Sequence, residues 1–502
     1  MLKLFSEQPR PFFMIFLLEI WERFGYYTVQ GILALYFIRF LGFSQEMAIY
    51  TFGAFSAMVY GLVAIGGYLG DKVLGTKRAI IIGLATLACG YFSLAFANAQ
   101  TVFYALGLIC VGNGLFKANP SSLLAKCYEA NDPRLHGGFT LYYMAINLGS
   151  TVALILGPNV SAYYGYPEAY FLSFIGLVLG LVNYFYQRHV VADINNLPDS
   201  REMKLWQWGM LILGMLATTF LSAFLLQHVR ITEKLLWVIV LLTLALYLFY
   251  LTKEQRTARV RMWIALVLMV EAVAFFTLYQ QMPTSLNLFA VNNVHASFFG
   301  ISFDPQSFQA LNPVWIILMS PFLAWLYRYL HVKNIDLSMP YKFAVGMLFC
   351  ALSFGLLFFT RYWHDTQGIV SGGWLVASYL FQSLGELLVS ALGVAMVAEL
   401  VPAAIAGFVM GMWFLTSAVA GFTGAAVASV AAFPSDIAPG VHSLMLYSKL
   451  FGWIGLSTFL LSALMFILAP ILTRHMRQPL THPAFEDPPV MMHEAELRPE
   501  GY

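Results

Sequence analysis

The chain has 502 residues, 60% hydrophobic and 16% aromatic against 10% charged, and its mean hydropathy is +0.73. No soluble globular domain of this length tolerates that balance, so the chain reads as an all-α polytopic membrane protein solvated by lipid. Its formal net charge of +2 is the sum of 27 basic and 25 acidic side chains, which leaves no basic surplus for nucleic acid.

Apolar runs of about 20 residues place a first set of six spans near 12–38, 46–70, 78–97, 101–124, 138–164 and 168–187. The first run is expected to be retained rather than cleaved as a leader, because it contains Glu19, Glu22 and Arg23 and lacks a small-residue cleavage site. At a rise of about 1.5 Å per residue, Glu19 lies roughly a dozen ångströms from Pro11, inside the hydrocarbon. Glu19, Glu22, Arg23, Tyr26 and Gln30, with Tyr27 at the edge, follow helical spacing and share one stripe that can face a cavity. Such a stripe marks a functional site. A knot in which the charges merely neutralise one another is the competing reading, but three charges cost more than a knot needs.

After the second span comes Gly66-Gly67-Tyr68-Leu69-Gly70-Asp71-Lys72-Val73-Leu74-Gly75-Thr76-Lys77-Arg78. Its glycines allow close backbone approach, and Asp71 stands among bases that it can pair with and release, a gating role. The stretch resembles the loop signature between the second and third spans of the major facilitator superfamily. The fourth span carries Lys117 where Gly112, Gly114 and Pro120 loosen the helix, with no acid on its own span. Glu22 or Glu19 across the bundle is its expected partner. Asn147 in the fifth span is a neutral hydrogen-bonding group.

Beyond the polar segment 190–204, runs near 205–226 and 233–252 have no ionisable residue in their middles and read as a helical hairpin with little chemistry. A second set of six follows near 259–283, 310–330, 341–360, 371–398, 405–432 and 446–472. It contributes Glu271, Asn312 before Pro313, and Glu386 within Gln382-Ser383-Leu384-Gly385-Glu386. For Glu271, packing in the protonated form and a functional role stay open. The expected units are therefore 1–190, 191–258 and 259–473, with a polar cytoplasmic tail over 474–502. Lysines and arginines cluster in alternate connections, from Lys3 and Arg10 through Lys77 and Arg78 to Arg474 and Arg477, which places both termini in the cytoplasm and requires an even number of spans. Six plus two plus six, fourteen in all, meets that requirement.

Two six-helix halves around a connection suit a rocking carrier with its site near the bilayer midplane. Four intramembrane acids face two bases, and uncompensated carboxylates in low dielectric hold protons and welcome a cationic group. That is the chemistry of proton coupling to an amine-bearing substrate. The rival classes fare worse. All ten histidines lie in connections or near span ends, so no pair of haem ligands is visible. No Walker loop, metal-ligand cluster or nucleophile–base pair stands out, which argues against a motor or an enzyme. Cys89, Cys110, Cys127 and Cys350 show no CxxC spacing and read as packing groups.

From Glu19 to Tyr27 the chain matches ExxERFxYY, and from Phe139 to Ser150 it carries Tyr142, Asn147, Gly149 and Ser150 in a fifth-span motif. With Lys117 and Glu386, these motifs resemble the proton-dependent oligopeptide transporters of the major facilitator superfamily, most closely their bacterial di- and tripeptide permease branch. The resemblance spans essentially the whole transmembrane part and implies a proton symporter of short peptides in a bacterial inner membrane, with protons as the coupling ion, no cofactor and no obligate protein partner. It implies that Glu386, Asn147 and Asn312 receive the peptide amino terminus and that Arg23 and Lys117 receive its carboxylate. It further implies that Tyr26, Tyr27, Tyr60, Trp413 and Ser417 line side-chain pockets, and that Glu19, Glu22, Arg23 and Lys117 carry proton coupling. Many relatives have arginine at the position of Gln30 and glutamate at that of Gln280, a pair that bridges the halves; here a hydrogen bond between two glutamines is expected instead. Glu271, more than two turns from Gln280, is the candidate substitute for the missing carboxylate. The alternative reading is a proton-coupled carrier of another small zwitterion, anion or peptide-like drug on the same fold.

Overall fold

The computed structural model describes residues 5–129, 132, 134–195, 197–298, 300–333, 337–390, 392–433 and 439–476. Among them, twelve helices are long and apolar enough to cross a membrane. In chain order the helices are α1 (Arg10–Leu35), α2 (Gln45–Leu74), α3 (Thr76–Ala95), α4 (Val102–Ala125), α5 (Arg134–Tyr163) and α6 (Tyr166–Val191). The next two, α7 (Leu205–Gln227) and α8 (Val229–Lys253), form the hairpin. The remainder are α9 (Arg256–Asn293), α10 (Pro305–Leu330), α11 (Met339–Tyr362), α12 (Gly373–Val389), α13 (Leu392–Leu400), α14 (Ala403–Ser429) and α15 (Val441–Met476). The twelve leave out α1, whose interior carries three charges, α12, which has only 17 residues, and α13, which has 9. The span expected over 371–398 is thus divided between α12 and α13. Most of the expected tail lies outside the described residues.

Prolines and glycines set the irregularities. α9 passes through a wider π turn at Met282–Leu286 around Pro283, and α4 breaks at Ala118 before Pro120, because proline removes a donor and crowds the preceding turn. Besides helices there are only two-residue ladders among the described residues. β1 (Val294–His295) pairs in parallel with β4 (Val370–Ser371), Val294 opposite Val370, and β2 (Ser297–Phe298) pairs antiparallel with β3 (Ile301–Ser302).

Buried side chains fall into two large clusters. One joins α1 to α6 through residues such as Phe12, Phe52, Leu87 and Tyr170; the other joins α9 to α15 through Met269, Phe343, Phe354 and Phe451. The hairpin leans on both. α7 packs on α4, where a side chain at Gly107 would meet the Thr219 carbonyl at 2.6 Å, and on α8 the Tyr247 hydroxyl donates to the Met262 carbonyl of α9 at 2.7 Å.

The closest seam between the clusters is the crossing of α2 and α14. There Gly53 and Gly421 lie face to face, and a Cβ on either would collide with the carbonyl oxygen of the other. Backbones approach this closely only where both residues lack a side chain. Gly421→Val should therefore force this end of the seam apart, since overpacking costs about 1–3 kcal/mol. The expected result is normal membrane insertion with transport lost. Full uptake by the variant would show that the crossing need not close.

Candidate functional site

Glu19, Glu22 and Arg23 are all buried on α1. The Arg23 Nε atom lies 2.9 Å from Glu19 Oε1 and 2.7 Å from Glu22 Oε2. Glu19 is held further by the Tyr142 hydroxyl of α5, which donates to Oε2 at 2.6 Å. Arg23 Nε makes an aligned hydrogen bond to neither glutamate, and Glu22 differs in that, among the described residues, no other donor reaches its oxygens. The charges do neutralise one another, as in the competing reading of the stripe, but incompletely. Both ion pairs engage Nε, and the planar guanidinium carries two further nitrogens of a kind that suits a carboxylate.

Lys117 does not take the partner expected from sequence. Among the described residues no carboxylate lies within 4 Å of it, because Arg23, on the same helix as both glutamates, reaches them first. Its Nζ sits 3.8 Å from the centre of the Tyr60 ring and 6.0 Å from that of Tyr26, a cation–π clasp that keeps the ammonium beside Arg23 and Glu22 without bonding either. Tyr26 and Tyr60 therefore seat the lysine as well as lining the space around it.

The opposite end of the site belongs to the second cluster. Asn312 Nδ2 donates to Glu386 Oε2 at 2.7 Å and to Ser383 Oγ at 3.1 Å, while the Ser383 hydroxyl donates to the Asn312 carbonyl at 3.2 Å. Asn147 is not joined to this group by its amide nitrogen, which donates to the Tyr143 carbonyl one turn back on α5 at 2.8 Å. Between the two ends stands Tyr27, within electrostatic reach of both Arg23 and Glu386. With Gln30, Tyr279, Gln309 and Asn312 it borders a small void of about 20 Å³. Trp413 packs on Phe276, its ring centre 5.9 Å away, and fills the space beside Gly393; Ser417 is buried one turn on.

Tyr143, Tyr279, Ser383 and Gln309 also face this region, although the sequence does not single them out as site residues. Tyr143 lies one turn from Asn147 on the same helix face, and Ser383 lies one turn before Glu386, so i, i+3 and i, i+4 spacing was the available signal.

The glutamine pair does not form as expected. Gln280 Nε2 donates to Ser56 Oγ of α2 at 2.7 Å, and no bond joins it to Gln30 among the described residues. The seam at this end is closed by neutral bonds throughout: Gln309 to the Gly31 carbonyl at 2.9 Å, Asn287 to the same carbonyl at 3.3 Å, and Asn159 to Ser307 at 3.1 Å. Ser56→Ala should remove one such bond, worth about 1 kcal/mol or roughly a fivefold shift toward the separated arrangement. Distances between spin labels at the ends of α2 and α9 would report that shift. An unchanged distribution would show that Gln280 contributes nothing to closure.

Asp71 likewise lacks the basic partner expected of it. Ser122 Oγ lies 3.4 Å away as a donor, and no base lies within 4 Å among the described residues. The neighbouring bases are engaged by the connection to the hairpin. Lys77 Nζ donates to the Val191 and Ala192 carbonyls and to Asn195 Oδ1 at 2.6–3.3 Å, and Arg78 donates to the Pro198 and Arg201 carbonyls at 3.0 and 2.7 Å. Glu271 is buried on α9 with both oxygens lacking a hydrogen bond.

This architecture is that of known transporters. The chain is 33% identical, with a TM-score of 0.83, to a bacterial homologue of the human drug peptide transporters PepT1 and PepT2, covering 93% of this chain and 99% of that one. It is 29% identical, with a TM-score of 0.80, to a peptide transporter POT solved in complex with alafosfalin, covering 94% and 96%. It is also 50% identical over 476 residues to dipeptide and tripeptide permease B of Aeromonas hydrophila, covering 94% of each chain. It is 48% identical over 477 residues to the protein of that name in Salmonella typhimurium, covering 95% and 98%. Residues 77–444 match the sequence profile of the POT family, and the chain, a multi-pass membrane protein with the fold of these transporters, belongs to that family.

Proposed function

We propose that this chain imports di- and tripeptides with protons by alternating access across a bacterial inner membrane. The observation that carries the reading is the placement of opposite charges on opposite halves: Arg23 and Lys117 on the first, and Glu386 with Asn312 on the second. A zwitterionic peptide spans such a pair of ends, its carboxylate toward the guanidinium fork and its ammonium toward Glu386, and draws the halves together as it does so. A simple anion gains nothing from the acid. The relatives named dipeptide and tripeptide permease B agree with this substrate class.

In this reading the six-helix units are 1–190 and 259–473, joined by the insertion 191–258, with fourteen spans, both termini and the tail over 474–502 in the cytoplasm. Protons are the coupling ion, no other cofactor enters the cycle, and no protein partner is required. Glu19, Glu22, Arg23 and Lys117 form the proton-coupling group, Tyr26, Tyr27, Tyr60, Gln280, Trp413 and Ser417 line the substrate, and Gln30 and Asp71 serve the gates. Glu271 supplies a carboxylate to the second half where Gln280 has none; an E271Q variant whose uptake keeps the wild-type pH dependence would remove it from the cycle.

Uptake of a labelled dipeptide into proteoliposomes, with and without an inward proton gradient, tests the whole reading. Concentrative uptake under the gradient is expected. If no dipeptide moves under any gradient, the substrate is another small zwitterion, an anion or a peptide-like drug.

A further inference from the structure

A cavity of about 410 Å³ lies away from the peptide site, between α7 and the ends of α2 and α4 that approach the hairpin connection. Its size falls within the roughly 300–1,000 Å³ of ordinary ligand pockets. Its floor is where α2 meets α4: the Gly66 and Gly114 backbones touch, so no side chain fills the space from below. Its walls are apolar, among them Ile65, Val73, Met203 and Met210, with Trp206 at the rim. Ile65, Val73, Trp206 and Met210 are all exposed, so the cavity opens to the surface that lipid covers. At Gly214 an added Cβ would meet nothing within 4 Å, which marks the deep wall as open space.

Polarity is confined to one end. Thr218 at the far end is satisfied by the Gly214 carbonyl at 2.8 Å, so it offers no donor to an occupant. Near the mouth, Lys72 adjoins Val73, and Arg201 and Lys204 flank Met203. These three cations have no ion-pair partner within 4 Å among the described residues, whereas Lys77 and Arg78 nearby are occupied by backbone carbonyls. Asp71, Asp199 and Glu202 stand in the same segments, and with Lys77 and Arg78 counted beside these three cations the mouth is basic by a small margin. From Trp206 to Thr218 the lining extends over about 18 Å of helix, close to the depth of one leaflet in a hydrocarbon core of about 30 Å.

We propose that this cavity is a binding site for an anionic phospholipid of the leaflet on the N-terminal side, with an acyl chain along α7 and the phosphate at Lys72, Arg201 and Lys204. Apolar walls one leaflet deep under a cationic mouth fit an amphiphile with a single negative head, and a peptide or a free phosphate would leave the walls unfilled.

The test is native mass spectrometry of the full chain, delipidated and titrated with phosphatidylglycerol or phosphatidylethanolamine of matched chains. Wild type should retain phosphatidylglycerol at least fivefold better. Lys72→Gln with Arg201→Gln and Lys204→Gln should abolish that preference, and Gly214→Trp should abolish retention of the first lipid bound. A second measurement does not depend on how the variants fold: phosphatidylglycerol brominated along its acyl chain should quench the Trp206 emission, read as the difference between wild type and Trp206→Phe. Equal retention of the two lipids, retention unaffected by Gly214→Trp, or an unquenched Trp206 would each overturn the site.

Discussion

Glu386→Gln raises the KM for a dipeptide by at least about 30-fold, because deleting one member of a buried charge pair costs about 2–5 kcal/mol. The structure gives the reason. Glu386 is held from one side by Asn312 at 2.7 Å, and no basic side chain lies within 4 Å of it among the described residues, so the substrate ammonium is the cation that the carboxylate lacks. The variant should also lose a specific discrimination. Against wild type, an N-acetylated dipeptide competes poorly with the free peptide, since a site built for an ammonium rejects the analogue that lacks it; against the variant the two compete alike. Retention of the wild-type preference would move the amino-terminal subsite away from Glu386.

The second large effect concerns the other half of the molecule. Glu22→Gln removes gradient-driven accumulation while leaving counterflow of unlabelled against labelled peptide within about twofold, because a carboxylate that cycles protons is not needed when no net proton moves. Glu22 rather than Glu19 is the group to test first. Glu19 is anchored by Arg23 and by the Tyr142 hydroxyl, whereas Glu22 touches Arg23 alone and leaves both oxygens without a hydrogen bond. A carboxylate with a single partner is freed when a peptide carboxylate competes for Arg23, whereas Glu19 would keep its Tyr142 bond. If accumulation persists in the variant, coupling belongs to Glu19, Lys117 or Glu271.

These two expectations expose an asymmetry. The first half carries two acids and two bases at close quarters, and the second half carries Glu271 and Glu386, neither with an ion-pair partner among the described residues. Charge transfer in the first half therefore rearranges existing pairs, while in the second it creates or removes a charge. The hydrogen bonds across the seam run through glutamine, asparagine and serine, and among the described residues the one opposite-charge contribution at this end is the longer-range attraction of Arg39 for Asp304.

The sequence by itself determined the membrane class, the helical spans, the charged stripe of α1 and the family, because each rests on local properties: hydropathy over about 20 residues, helical periodicity, and a motif nine residues long. Span ends agree with the helices to within a few residues over most of the chain, excepting the division of 371–398 into α12 and α13 and the end of α9, which runs on from the expected 283 to Asn293. Only the tertiary structure decided who partners whom. Lys117 was expected to meet Glu22 or Glu19, but Arg23 is covalently nearer to both, and aromatic faces from α1 and α2 were free to hold the ammonium. Gln280 was expected to reach Gln30, but Ser56, 224 residues away in sequence, stands closer in space. Lys77 and Arg78 were read as partners for Asp71, but the returning connection offered unpaired carbonyls at shorter range. A buried polar group bonds to whichever complementary atom packing brings within about 3 Å, and that proximity is set by how distant helices cross, which no local pattern encodes.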